Sequence, residues 1–226
     1  MNCEVLPEVY FFDMDHTLIA NDCDISWKIF LNEEKLIEAG QLAIAEKFYE
    51  DYCREELNEA EFIRFQLREF VGCSEQEMNL LARRHFDSQV KHTLIASVFA
   101  ELTAALQQKA HVALLTATNS VVARPLADFC GIEHVLATAP ELDAAGSFTG
   151  AINGDYCCGR KKIKFAEEFC RARGLTLSSA AYYGDSLNDR HLLERVGFPV
   201  AVNPTGELLE IARANSWRII TSGRFD

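Results

Sequence analysis

The sequence contains no Cys-x-x-Cys pair and no His/Cys cluster at zinc-ligand spacing, although it has eight cysteines, at positions 3, 23, 53, 73, 130, 157, 158 and 170. A structural zinc site is therefore not expected. Cys157 and Cys158 are neighbours, a poor geometry for bridging each other. The thiols are expected to be reduced and mostly buried, which implies a reducing compartment. No apolar run approaches the length of a membrane span. "MNCEVLPEVYFF" lacks a basic region followed by an apolar core and a cleavage site, so no secretory leader is expected. There is no internal repeat and no low-complexity tract. Positive charge is scarce: 22 Lys and Arg stand against 34 Asp and Glu, a net charge of −12. That balance argues against nucleic acid or an anionic membrane as the main partner. The expectation is a soluble cytoplasmic protein, monomeric or homodimeric.

What is present is ordinary globular material. The 226 residues are 49% hydrophobic and 25% charged, enough for one large domain or a domain with an insert. Short apolar runs occur at 9–12, 111–115, 134–137, 180–183, 198–202 and 217–220. Helical patterns separate most of them, near 97–109, 120–130, 162–173, 189–195 and 205–215, the last behind Thr205 as a cap. Continuous apolar strands alternating with helices predict an α/β fold, a parallel sheet with helices on both faces. "SFTGAINGD" (147–155) reads as a small β-hairpin or flap. Residues 20–92 contain no convincing strand and break into about four helices, with Gly40 after the first, Asn58 with Glu61 before the next, and Ser74 with Glu77 as a capping box. The predicted division is a core of 1–19 and 93–226 and a helical cap of 20–92, placed after strand one where open α/β sheets bind ligands, the alternative being helices that merely pack on a sheet face.

"EVYFFDMDHTLIA" (8–20) carries Asp13 and Asp15 to the end of a buried strand. "GDSLND" (184–189) does the same with Asp185 and Asp189 after the run "AAYY". In a parallel sheet these ends open on one edge, where converging carboxylates repel unless a cation sits among them. Oxygen ligands without His or Cys favour Mg²⁺, which also shares its shell with phosphate. "LLTATN" (114–119) adds Thr116 and the N–H of Ala117 near a helix start, and "GRKKIKF" (159–165) adds Lys161, Lys162 and Lys164. Both suit a phosphate group.

These four motifs, in order, resemble the haloacid dehalogenase (HAD) superfamily of hydrolases, in the phosphoserine-phosphatase-like branch (subfamily IB). The resemblance implies a Rossmann-like core with an inserted helical cap, and a Mg²⁺-dependent phosphatase acting on a small phosphorylated metabolite through an aspartyl-phosphate. It implies Asp13 as nucleophile and Asp15 as general acid and base. It further implies Mg²⁺ held by Asp13, the Asp15 carbonyl and Asp185, with Asp189 acting through water or by orienting the lysine. Thr116, Ala117, a lysine and Asn188 would hold the phosphate. The family's lysine precedes an apolar residue, as Lys162 does, with Lys161 as the fallback. His16 stands where the family often has Gly or Ser, and its side chain is expected to point away from the chemistry. Asp22, nine residues after Asp13, corresponds to the family's ligand for a substrate amino group, or else caps the following helix. Arg54, Arg64 and Arg68 are candidates for a substrate carboxylate, Arg68 being the one selected. Phosphoserine phosphatase proper, and a phosphotransferase or mutase using the same motifs, remain alternatives.

Overall fold

The computed structural model describes residues 6–222, so Cys3 and the first residues of "MNCEVLPEVYFF" lie outside it. Strand β1 (Val9–Phe12) is buried throughout and lies in the middle of a six-stranded sheet with β2 (His111–Asn119), β3 (His134–Thr138), β6 (Ala180–Gly184), β7 (Phe198–Val202) and β8 (Arg218–Ile220). The order is β3-β2-β1-β6-β7-β8 and every pairing is parallel. All six apolar runs are strands of one sheet. Alternation along β1 divides the core. Tyr10 and Phe12 pack with Val98 and Leu102 of α5 (Ala96–Gln107) and Val122 and Leu126 of α6 (Ser120–Cys130). Val9 and Phe11 face Ala166 and Phe169 of α7 (Lys161–Arg171), with Leu192 of α8 (Arg190–Leu193) and Leu208 of α9 (Gly206–Ala214) on the same side. Both faces are covered, which is why the strands read as unbroken apolar runs.

Register sets the chemistry's position. Phe12 lies opposite Leu114 on one side and Tyr183 on the other, so Asp13 and Asp185 leave the same edge of the sheet one step apart. The pairing of β2 with β3 is regular to Thr116↔Ala137 and resumes at Asn119↔Thr138, leaving Ala117 and Thr118 in an irregular turn of the strand. Strand β2 is therefore longer than its apolar run, and Ala117 lies within it rather than at the start of α6, whose cap is Asn119.

Between β1 and β2 stand α1 (Cys23–Glu33), α2 (Gly40–Cys53), α3 (Glu59–Gln66) and α4 (Glu75–His85), with no strand of the sheet. Asn58 caps α3 by accepting from the Glu61 N–H, and Ser74 with Glu77 closes a capping box on α4. Trp27 and Phe30 of α1, Phe70 and Met78 belong to the same apolar cluster as the sheet's α5 face, while Phe48 of α2 and Phe62 and Phe65 of α3 pack on one another outside it. Its two connections to the sheet run side by side: the Ala20 N–H donates to the Thr93 carbonyl (2.7 Å) and the Ile95 N–H to the Leu18 carbonyl (2.9 Å). The expected hairpin pairs β4 (Pro140–Leu142) with β5 (Phe148–Ile152), so its first strand lies upstream of 147–155. Through bonds from Gly72 N–H to Phe148 C=O and Phe148 N–H to Cys73 C=O, both 2.9 Å, it is tied to the helical block.

Two outcomes follow from this packing. Gly184 ends β6 where an added Cβ would meet Asp189 Cβ and Cγ at 2.9 Å. Gly184→Ala is expected to cost about 1–3 kcal/mol by overpacking, lowering Tm by roughly 2–10 °C in a thermal melt. His85 is buried against Trp27 and Phe30, its Nε2 2.9 Å from Ser26 Oγ, and burial pushes its pKa down to about 4 from 6.5. It is neutral when folded and takes up a proton on unfolding. Its contribution is complete above pH 6.5 and is lost as pH falls toward 4, by about 1.4 kcal/mol per pH unit. Denaturant unfolding across that window should show this slope in the native chain relative to His85→Gln.

Candidate active site

Three strand-end segments and the first turn of α7 meet at one point. Lys162, the second residue of α7, is buried, and its ammonium donates to Asp13 Oδ1 (2.8 Å), Asp189 Oδ1 (2.8 Å) and the Tyr182 hydroxyl (3.0 Å). Lys161 instead pairs with Glu59, and Lys164 with Asp155, both at the surface. The choice among the three lysines falls on Lys162. Asp189 is held from every side. Its Oδ1 also receives the Tyr182 hydroxyl at 2.5 Å, and its Oδ2 accepts from the Ser186 N–H (3.1 Å) and hydroxyl (2.8 Å).

Asp13, Asp185 and Asp189 present oxygens that all lie within 4.8 Å of one another, an all-oxygen group that could hold a metal ion. Asp13 and Asp185 suit direct ligation, since Asp189 is engaged with Lys162, Tyr182 and Ser186 and is better placed to orient the lysine. Thr17 Oγ1 donates to Asp185 Oδ1 (3.0 Å), fixing its direction. Electrostatics express the shortage of positive charge. Burial, followed by the charges of Asp189 and Asp15, pushes Asp13 up to about 7 despite Lys162. Burial and the charges of Asp189 and Asp13 drive Asp185 well above the carboxylate range. Burial opposes the charge of Lys162, but Asp13 and Asp189 hold it protonated well above its ordinary value. A divalent cation among these oxygens would relieve the same repulsion.

Asp15 is the second carboxylate of the floor. The N–H of Cys23, at the start of α1, donates to its Oδ1 (2.7 Å), and the Thr118 hydroxyl donates to its Oδ2 (2.7 Å). Burial and the charge of Asp22 nevertheless raise its pKa to about 6. Thr118 is itself steadied by its N–H bond to Thr116 Oγ1 (3.1 Å).

The floor opens into a cavity of about 250 Å³ whose opposite wall comes from α1, α2 and α3. Thr116, Ala117 and Asn188 line it with Asp13, Asp15, Lys162 and Asp185. Asn188 donates from Nδ2 to the Tyr52 carbonyl (3.3 Å), and the Tyr52 hydroxyl lies 3.4 Å from Ser186 Oγ, so α2 is anchored to the last motif. Asp22 is a helix cap that also lines the cavity: its Oδ1 accepts from the Ile25 N–H (2.9 Å), and its Oδ2 lies 3.7 Å from His16 Nε2. His16 does not point away, as the motif comparison led one to expect. With φ at 55°, its backbone turns left-handed and brings the ring onto the cavity wall near Tyr49. Arg68 is not brought to the site. It is half-exposed beside Glu69, and neither it, Arg54 nor Arg64 lines the cavity. Thr205 stands at the cap of α9 without a side-chain cap bond and reaches the cavity rim instead. Tyr182, Thr118 and Tyr52 were not singled out from sequence: Tyr182 hides in an apolar strand, Thr118 among consecutive motif residues, and Tyr52 in a helix 134 positions from Ser186.

The profile of the haloacid dehalogenase-like hydrolases matches residues 10–194. A histidinol-phosphatase of Neisseria meningitidis is 32% identical over 222 residues, covering 95% of this chain and 99% of its own. A phosphoserine phosphatase of Archaeoglobus fulgidus is 27% identical over 202 residues, covering 89% of this chain and 54% of its own. Among solved structures, a Bordetella pertussis protein of unknown function superposes with a TM-score of 0.83 at 32% identity, covering 94% of this chain and 97% of the other. A phospho-aspartyl intermediate analogue of phosphoserine phosphatase gives 0.69 at 16% identity over 97% and 95% of the two chains, a likeness of fold. The chain belongs to the haloacid dehalogenase-like hydrolases, with the fold of the phosphoserine phosphatases and phosphatases among its relatives.

Proposed function

We propose that the chain is a Mg²⁺-dependent phosphomonoesterase that works through an aspartyl-phosphate on Asp13, with residues 20–92 as its cap. The observation that carries this reading is the meeting of Asp13, Asp185 and the buried Lys162 on one edge of the sheet. Asp13 attacks phosphorus, forming its Oδ–P bond as the ester P–O bond breaks. Asp15, with a pKa near 6, gives its proton to the leaving alkoxide. It then accepts a proton from the water that displaces Asp13 from phosphorus. Lys162, the Thr116 hydroxyl and the Ala117 N–H face the phosphoryl oxygens as charge builds there. Bound between Asp13, the Asp15 carbonyl and Asp185, Mg²⁺ would offset the repulsion between an anionic nucleophile and an anionic substrate.

For the substrate, the cavity wall favours a small phosphomonoester bearing an amine or imidazole, such as histidinol phosphate, over phosphoserine. Among the described residues only Lys162 and His16 on that wall can be cationic, no arginine reaches it, and five aspartates do. A substrate carboxylate would find repulsion there. Phe48, Tyr49, Tyr52, Phe62 and Tyr156 supply faces for a ring or an ammonium group.

Asp13→Asn is expected to lower phosphate release from para-nitrophenyl phosphate at least ~10³-fold, and chelation should abolish the activity until Mg²⁺ is restored. Equal turnover in the variant would refute the nucleophile. Asp15→Asn should cost about 10²–10⁴-fold with an alkyl phosphate, and less with para-nitrophenyl phosphate, whose leaving group needs no proton. Comparing phosphate release to water with transfer to added alcohol separates hydrolase from phosphotransferase.

A further inference from the structure

Five carboxylates line the cavity, and four of them are engaged by the protein. Asp13 accepts from Lys162, Asp15 from Cys23 N–H and Thr118, Asp22 from Ile25 N–H, and Asp185 from Thr17. Asp24 is different. Among the described residues its carboxylate receives no hydrogen bond, and only its backbone carbonyl is used, by Gln66 Nε2 at 3.4 Å. The nearest lysine on its helix does not serve it: the Lys28 ammonium donates to Glu69 (2.5 Å) and to the Phe65 carbonyl (2.9 Å).

The surroundings of Asp24 are apolar and aromatic. It shares the cavity wall with Ile25, Phe62 and Tyr156, and a smaller recess of about 20 Å³ also includes Asp24, Phe62, Gln66 and Tyr156. An acid in the first turn of a helix is ordinarily favoured by the helix dipole, a benefit available equally to a solvated side chain. Asp24 is partly covered, so a substrate that displaces water from its carboxylate beside the aromatic rings must bring a positive charge in its place. Burial, with the charges of Asp22 and Asp15, accordingly drives its pKa well up.

We propose that Asp24 is the anchor for a cationic nitrogen on the substrate's leaving alcohol, the charge resting against the faces of Tyr156 and Phe62. The assignment rests on the phosphomonoesterase reading and adds to it the residue that selects the substrate. Asp22 is held at the helix cap by the Ile25 N–H, which leaves Asp24, among the described residues, as the carboxylate of that wall without a protein donor. Phosphate and cation are then held at two places: Lys162 and its neighbours at the sheet edge, Asp24 on the helical wall.

The test compares L-histidinol phosphate with para-nitrophenyl phosphate in the native chain and in Asp24→Asn. The ratio of kcat/KM for the cationic ester over the neutral-leaving-group ester is expected to fall about 10- to 100-fold, chiefly through KM. Misfolding lowers both rates and leaves the ratio in place, so it is not mistaken for loss of the anchor. Calorimetric binding of L-histidinol itself should weaken by a similar factor in the variant. A ratio changed less than about twofold, with L-histidinol binding unaltered, overturns the anchor. Failure of the native chain to hydrolyse either ester while L-histidinol still binds through Asp24 would overturn the phosphatase reading and leave the anchor standing.

Discussion

One buried ammonium organises this molecule's working edge. Lys162 leaves water entirely, and it does so near the N-terminus of α7, where the helix dipole disfavours a cation. Only the carboxylates of Asp13 and Asp189, with the hydroxyl of Tyr182, make that position tenable. A charge so placed is far more damaging when one partner is lost than it is stabilising when all are present. The dependence extends outward. Asp189 can approach only because Gly184 has no Cβ, and it keeps its orientation because Ser186 and Tyr182 fill its remaining lone pairs. The order glycine, aspartate, lysine, nucleophile is a mechanical sequence as much as a chemical one.

Much of this was legible in the sequence because it depends on short-range patterns. Six apolar runs became six parallel strands, and the capping signals at Asn58 and Ser74 made the bonds their spacing implies. Asp13, Asp15, Asp185 and Asp189 converge because strand ends in a parallel sheet share an edge, a consequence of topology alone. The family resemblance favoured Lys162, with Lys161 as the fallback, and the structure places only Lys162 inward.

What escaped depends on direction in space. Tyr182 reads as one more core aromatic, since nothing in a strand's sequence says that a hydroxyl will find Lys162. His16 was expected to face outward, but a single left-handed residue turns it onto the cavity wall. Arg68 was selected from three arginines of the helical block for a substrate carboxylate, yet its short helical turn presents it to solvent beside Glu69. The helical block was legible as helices but not as packing: α1 shares the sheet's core and also joins α2 and α3 in the cavity's wall.

The clasp between Ala20 and Thr93 and between Leu18 and Ile95 has a consequence for how such a chain can change over time. Because the two ends of the excursion are already joined beside β1, its length hardly matters to the sheet beneath: each doubling of a flexible loop adds only about 0.6 kcal/mol to closure. The loops between the helices above the clasp can lengthen or shorten, whereas α1, which shares the sheet's core and holds Asp15 through the Cys23 N–H, must stay in place. The catalytic floor would stay constant while the roof is rewritten for new cargo.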